Sequence, residues 1–376
     1  MRTVLSPVVR NDILHLTRRL VQIRSVDGDR KALEQALETA VQTLKSVGFT
    51  IERFVSNGYP SVLAYPTTHR PKRFRLLFNG HLDVVPGKAH QYHPTIAGGK
   101  LYGVGSMDMK ANVAAMVHAL QGFARSQVPV GIQLVTDEQV GGVHGTLHQI
   151  QKGVRADFVI AGESTNLNIA HASKGILWLQ LRAQGKSAHG AYPWRGKNAL
   201  LLITEAVQSL IREFEEGFHG RGLNHWVSTL NVARIETPNT AYNKVPDEAF
   251  AYLDVRFIPE EGRGNVLGRV RRALPSGVRV TLVMDEPAMW TPEDLPDVML
   301  LQQVTRQVVG RRPRLYRAQG SSDARHFARV GGFGVEFGPV GGGRNTDREW
   351  VDIESVFRFA EVLSRYIQAV IANKAH

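Results

Sequence analysis

Histidine and carboxylate residues recur just behind the apolar runs in the first half of this chain. They stand in Gly80-His81-Leu82-Asp83, at Asp108 after a glycine-rich turn, in Asp137-Glu138 and at Glu163. Imidazole and carboxylate are the ligands of borderline and hard divalent ions such as zinc, cobalt or manganese. The chain has no cysteine, which excludes disulfides, thiolate zinc sites, iron–sulfur clusters and a cysteine nucleophile. Alternation along an extended segment puts His81 and Asp83 on one side, so that Asp83 can hold the imidazole from behind and raise its basicity. Glu138 beside an ion is suited to take a proton from water and pass it to a leaving amine. Each residue alone also reads as a cap or turn residue. Four such deliveries in one domain favour the metal.

These residues need elements that aim them at one place. Helical periodicity runs over Asn11 to Ile23 and Lys31 to Val47, and a long Ala-rich helix is expected over Asp108 to Phe123, started by an acidic residue at its positive end. Phe74 to Asn79, Val130 to Val135 and Phe158 to Ala161 read as buried strands. The alternation predicts an α/β domain with a mostly parallel sheet, in which ligands bind beyond the carboxyl ends of the strands. From Lys174 the rhythm becomes strand, helix, strand, strand, helix, strand, ending near Met284, which is the βαββαβ order of a ferredoxin-like module. The α/β rhythm then resumes and closes with a helix over Ser355 to Ile371. The expected organisation is a catalytic domain of residues 1–173 and 290–376 with an inserted lid or dimerisation domain of residues 174–289.

At this point a resemblance becomes definite. Gly80 to Pro86, Gly103 to Lys110, Thr136 to Gln139 and Ala161 to Ser164 resemble the metal-binding blocks of the zinc aminoacylase family, which includes acetylornithine deacetylase, succinyl-diaminopimelate desuccinylase, aminoacylase and glutamate carboxypeptidase. The likeness continues in order through Gly185 to Pro193, Asn243 to Phe257, Ser321 to Arg325 and Gly338 to Glu349. It implies that Asp108 bridges two metals, that His81 and Glu163 complete the first, and that Glu138 is the general base. It further implies that His189 reaches a neighbouring subunit's site to stabilise the oxyanion, and that Asn243, Arg256 and Ser322 bind substrate. For Arg256 the alternative is a cross-strand ion pair. Lys174, which opens the hinge before Gly175, is a further candidate for substrate contact.

Two positions depart from the family, and both belong to its second metal. Gln139 stands where the family has Glu, and Asn345 where it has His. Neutral amide oxygens are much poorer zinc ligands, so the expectation is one ion per chain at most. The implied activity is metal-dependent cleavage of the amide of an N-acyl amino acid or similar small carboxylate. The alternative is a homologue with a degenerate metal site that performs amide formation or cyclisation through Glu138, or only binds its ligand.

Composition sets the remaining bounds. A length of 376 residues at roughly 150 per domain suggests two domains, and 43% hydrophobic residues suit ordinary packed cores. No apolar run approaches the ~20 residues of a membrane span. The segment Met1 to Leu20 lacks the features of a secretory signal, so a cytoplasmic protein is expected. The net charge of +12 fits an acidic small substrate better than nucleic acid, because the basic clusters at Arg70, Arg269 and Arg311 are scattered and join no nucleic-acid module. A homodimer paired through the inserted domain is expected. Apparent P-loop, dinucleotide and serine-elbow motifs all fail in register: position 180 is Gln, position 108 is Asp, and Ser321 and Ser322 do not sit in a Gly-x-Ser-x-Gly elbow. On sequence alone, restoring both ligands as Gln139→Glu with Asn345→His is expected to raise bound zinc from about one to about two per chain in elemental analysis.

Overall fold

The computed structural model describes residues 5–124, 126–216 and 225–372. Residues 1–4 of the amino-terminal segment considered above lie outside them. In chain order the first elements are α1 (Pro7–Gln22), α2 (Arg30–Ser46), β1 (Thr50–Ser56), β2 (Tyr59–Tyr65), β3 (Phe74–His81), β4 (Thr95–Ala97), β5 (Lys100–Tyr102), α3 (Ala111–Gln121), β6 (Val130–Val135), α4 (His148–Gln151), β7 (Ala156–Ala161) and β8 (Ile169–Ser173). The inserted segment adds β9 (Gly175–Gln184), α5 (Ala199–Glu213), β10 (Thr229–Glu236), β11 (Glu248–Phe257), α6 (Gly262–Ala273) and β12 (Val278–Glu286). The chain closes with β13 (Met289–Trp290), α7 (Pro296–Val309), β14 (Leu315–Ala318), β15 (Phe333–Phe337), β16 (Gly341–Gly342), β17 (Trp350–Asp352) and α8 (Ile353–Ala372).

Contacts divide the chain into two compact units. One is Met1–His171 with Trp290–Tyr316 and Ser322–His376, and the other is Ala172–Met289 with Arg317–Ser321. The short segment Arg317–Ser321, expected in the catalytic domain, groups with the inserted unit instead. Its contacts explain this: Gln319 donates to the carbonyl of His225, and Arg317 lies 3.5 Å from Glu260 and over the Trp226 ring.

The large unit is built on a sheet ordered β1-β2-β6-β3-β7-β15-β8-β13. Its four middle strands, β6, β3, β7 and β15, are mutually parallel, and antiparallel strands flank them. The middle strands are apolar along nearly their whole length, as strands covered on both faces must be. Helix α3 is buried all round, with Val113, Ala114, Ala115, Met116 and Val117 inaccessible. It begins at Ala111 rather than at Asp108 as the sequence suggested. Asp108 (φ −128, ψ 81) and Met109 (φ −136, ψ 39) are non-helical, so the helix does not reach back to Asp108. A small separate sheet, β16-β17-β5-β4, pairs the hairpin after β15 with the strand that leads into the Gly103 to Asp108 turn.

The inserted unit is an antiparallel sheet ordered β10-β11-β9-β12 with α5 and α6, the ferredoxin-like order expected. Strict alternation of buried and accessible residues along β9 and β11 gives one covered face. That face packs Leu179, Leu181, Ala251 and Leu253 with Ile203 and Leu210 of α5 and Val266 and Val270 of α6.

One polar cluster joins three elements of the large unit. Arg75 of β3 donates to Asp297 in the first turn of α7 at 2.6 Å, and the Tyr366 hydroxyl of α8 donates to the same carboxylate at 3.1 Å. Asp297 also suits the positive end of α7. The variant Asp297→Asn is expected to lower unfolding stability by about 1–3 kcal/mol because it leaves a largely buried guanidinium without its counter-charge. A urea-denaturation midpoint equal to wild type would show that the cluster is not a stabilising tie.

Candidate functional site

The parallel strands end side by side, and their carboxyl ends carry the polar residues. His81 ends β3, Glu138 and Gln139 follow β6, Glu163 follows β7, and the segment after β15 leads to the Gly341–Trp350 hairpin. Asp108 reaches the same place from the turn before α3. Among the described residues, His81, Asp108 and Glu163 form a group whose ligand atoms all lie within 4.8 Å of one another, and all three are buried. His81 Nε2 is 3.1 Å from Asp108 Oδ1 and 3.7 Å from Glu163 Oε1. Glu138 stands beside them, with Oε2 3.8 Å from His81 Nε2 and 16% of its side chain exposed. One nitrogen and two carboxylates on one centre, with a further carboxylate adjacent, suit a divalent zinc-like ion that keeps a position open for water.

Asp83 stands behind the imidazole. Its Nδ1 is 3.0 Å from the backbone carbonyl of Asp83 and 3.5 Å from the Asp83 carboxylate. Asp83 also accepts from the backbone N–H of Gln139 at 2.8 Å, which ties the end of β6 to the end of β3. Asp137 turns elsewhere. It accepts from the His144 N–H at 2.7 Å and so serves the turn, as the capping alternative allowed.

Electrostatics follow from crowding charge in a buried place. Burial works against the charged form of His81, but the hydrogen bonds to Asp108 and Asp83 outweigh it and raise its pKa well above the usual value. Burial and the nearby carboxylates Glu163, Asp323 and Asp108 push Glu138 up, with His81 opposing. Burial likewise pushes Glu163 up, and Asp108 adds to it. A base with a raised pKa is suited to both halves of a proton transfer near neutral pH.

The turn that aims Asp108 has its own supports. Gly105 has φ 75, and a Cβ there would meet Val84 at 2.5 Å, so only glycine fits. The Glu349 carboxylate accepts from the backbone N–H groups of Gly105, Met107 and Asp108 at 3.0, 2.9 and 3.2 Å, and burial brings its pKa to about 7. Lys110 is wholly buried, donates to the Ile23 carbonyl at 2.7 Å, and is held down to about 7 by burial.

The positions that the resemblance gives to a second metal bring together no comparable set among the described residues. Gln139 is oriented with its amide nitrogen toward Asp108 Oδ2 at 3.3 Å and Glu138 Oε2 at 3.1 Å. Asn345 is exposed in the hairpin with φ 59. Arg344, which sequence reasoning missed, enters instead: its Nη2 donates to Glu163 Oε2 at 2.8 Å and its Nε lies 3.4 Å from Asp108 Oδ2. The available signal was a basic residue immediately before Asn345. Ser322 is buried at the start of the 3-10 helix Asp323–Val330.

The other substrate candidates lie in the inserted unit. His189 is exposed, accepts from the Ala191 N–H at 3.1 Å, and sits beside Asn243, whose carbonyl accepts from the Gly190 N–H at 2.7 Å. Arg256 makes a bidentate pair with Asp254 at 2.8 and 3.0 Å. Its partner is two residues back on its own strand, not across the sheet as the ion-pair alternative had it, because side chains at i and i+2 share a face. Lys174 is buried, and burial followed by the charge of Arg256 holds its pKa down at about 8.

A family model described as peptidase family M20/M25/M40 matches residues 77–369. The chain is 30% identical over 390 residues to the succinyl-diaminopimelate desuccinylase of Paracoccus denitrificans, covering 96% of this chain and 99% of that one. It is 31% identical over 344 residues to succinyl-diaminopimelate desuccinylase 2 of a Ruegeria species, covering 84% of each. In fold it is similar to the aminopeptidase PepT of Bacillus cereus (TM-score 0.75, 19% identity, 96% and 99% coverage). It is also similar in fold to a metallo-carboxypeptidase of Sulfolobus solfataricus (TM-score 0.74, 16% identity, 96% and 99% coverage).

Glu163 is positioned by a close approach: a Cβ on Gly338 would lie 2.3 Å from the Glu163 carbonyl oxygen, a backbone atom that cannot swing aside. Gly338→Ala is expected to cost about 1–3 kcal/mol of stability and to weaken zinc binding by displacing Glu163. Wild-type values in both urea denaturation and zinc titration would show that the contact does not position the ligand.

Proposed function

Because the chain belongs to peptidase family M20/M25/M40, we propose that it is a metal-dependent hydrolase that cleaves the amide bond of an N-acyl amino acid or small peptide-like carboxylate with a single metal ion. The observation that carries this reading is the convergence of His81, Asp108 and Glu163 at the strand ends with Glu138 alongside. A zinc, cobalt or manganese ion held by those three residues would polarise the amide carbonyl and acidify a water molecule. Asp83 keeps the His81 imidazole oriented with Nε2 toward the centre. Glu138 takes the proton of the attacking water and delivers it to the leaving amine, for which its raised pKa suits it. The reading assigns oxyanion stabilisation to His189 and substrate contacts to Asn243, Arg256, Ser322 and Lys174. Arg256 would have to exchange Asp254 for a substrate carboxylate.

The desuccinylase names of the relatives put N-succinyl amino acids first on a panel that also holds N-acetyl amino acids and dipeptides. Metal-stimulated release of free amine is the expected result. The altered second-metal positions favour one other reading, a protein that joins or cyclises its ligand through Glu138, or only binds it. Condensation or binding without amine release across the whole panel would select that reading.

Glu138→Gln is expected to reduce turnover by at least about a hundredfold while bound metal is unchanged, because the base is not a ligand. Loss of the metal in this variant would remove Glu138 from the role of base. The delivery of His189 is tied to pairing of two chains through the inserted sheet, whose β10 and β12 are outer strands. Light scattering is expected to give a dimer mass at micromolar protein, and a monomer mass would rule that delivery out.

A further inference from the structure

Asp108 and Glu163 each divide their two oxygens between two sides. Asp108 Oδ1 and Glu163 Oε1 face His81 Nε2, at 3.1 and 3.7 Å. Asp108 Oδ2 and Glu163 Oε2 face Arg344, at 3.4 and 2.8 Å. A carboxylate bridging two cations gives one oxygen to each, and here the second cation in reach of both carboxylates is a guanidinium. Gln139 adds an amide N–H to Asp108 Oδ2 at 3.3 Å, so the side opposite His81 is furnished with hydrogen-bond donors. Arginine stays protonated throughout the range in which proteins fold and has no lone pair to offer a metal.

The hairpin makes this placement part of the fold. Gly341–Gly342 pair with Trp350–Val351, and the same strand pairs with Leu101 and Tyr102 just before the turn that aims Asp108. Glu349 on this hairpin gathers three N–H groups of that turn. Arg344 and Asp108 are therefore carried on two segments fastened to each other. The guanidinium reaches inward from a side chain 46% exposed to carboxylates only 5% and 7% exposed.

We propose that Arg344 takes the place of a second metal ion: a fixed single positive charge that neutralises and orients Asp108 and Glu163 and makes the centre a one-metal site. This rests on the proposed function in taking His81, Asp108 and Glu163 as ligands of one ion. Arg344 is a positioning residue, acting through the two carboxylates. Changing Gln139 and Asn345 back to ligands then does not suffice for a second ion, contrary to the expectation from sequence alone, because the guanidinium still holds Asp108 Oδ2.

The test is zinc stoichiometry and affinity of the full chain by elemental analysis and titration calorimetry. Wild type and Gln139→Glu/Asn345→His are expected to bind about one zinc each. Adding Arg344→Met to that double variant is expected to give about two, while adding Arg344→Lys, which keeps the charge, holds second-site affinity at least about tenfold below the Met variant. Circular dichroism and urea midpoints establish that each variant is folded, and Arg344→Gln, likewise uncharged, takes the place of Arg344→Met where the Met variant is not. A second zinc bound equally well with Arg344 present or absent overturns the inference and leaves the one-metal reading of the wild type standing. Equal second-site affinity in the Lys and Met variants overturns it as well, since charge would then not be what Arg344 supplies. Two zinc ions in wild type overturn both the inference and the one-metal count. Wild type binding none overturns the metal-dependent reading, and the inference with it.

Discussion

Two carboxylates buried side by side are the constraint on which this site depends. Asp108 and Glu163 are withdrawn from water; burial and the charge of Asp108 push Glu163 up, while burial of Asp108 is outweighed by the hydrogen bond and charge of His81 and the charge of Arg344, which hold it below its usual value. Ionised, the pair is tenable only with positive charge on the centre. His81 supplies it on one side and Arg344 on the other, and a metal ion is the natural further source. The remaining polar groups nearby answer the same demand, since Asp83 steadies the imidazole and Gln139 donates to the shared carboxylate.

The architecture meets this demand by ending parallel strands in register. Because β6, β3, β7 and β15 run the same way, their following loops meet at one edge, and four distant parts of the chain deliver their residues to one volume. The small sheet then fastens the last of these loops to the turn carrying Asp108. Precision comes from close backbone contact at Gly338 and from the three N–H groups gathered by Glu349, which hold the site without using the residues that act in it.

The combination differs in chemistry from a centre with two metals. A guanidinium fixes one unit of charge and directional hydrogen bonds, but it offers no open coordination position and cannot acidify water. Activation of the water would therefore fall to the single ion together with Glu138. The family membership concerns the scaffold and the reaction class, while the one-metal reading of Gln139, Arg344 and Asn345 is the proposal made for this chain.

The sequence by itself determined the element rhythm, because apolar runs and helical periodicity are local consequences of which faces must be buried. It located His81, Asp108, Glu138 and Glu163, because residue type and position after a strand are written in order along the chain. It also showed Gln139 and Asn345 at the two positions that the resemblance gives to a second metal. Tertiary structure decided that Arg344 faces Asp108 and Glu163. Arg344 is 181 residues from Glu163 in the chain, and its local signal, a place next to Asn345, does not say which side chains it meets. Its role depends on a β16–β17 hairpin brought beside the Asp108 turn by strand pairing. The same holds for the start of α3, moved from Asp108 to Ala111. Helix propensity is a local property, whereas the non-helical Asp108 and Met109 follow a turn whose N–H groups are gathered by Glu349 from a distant part of the chain.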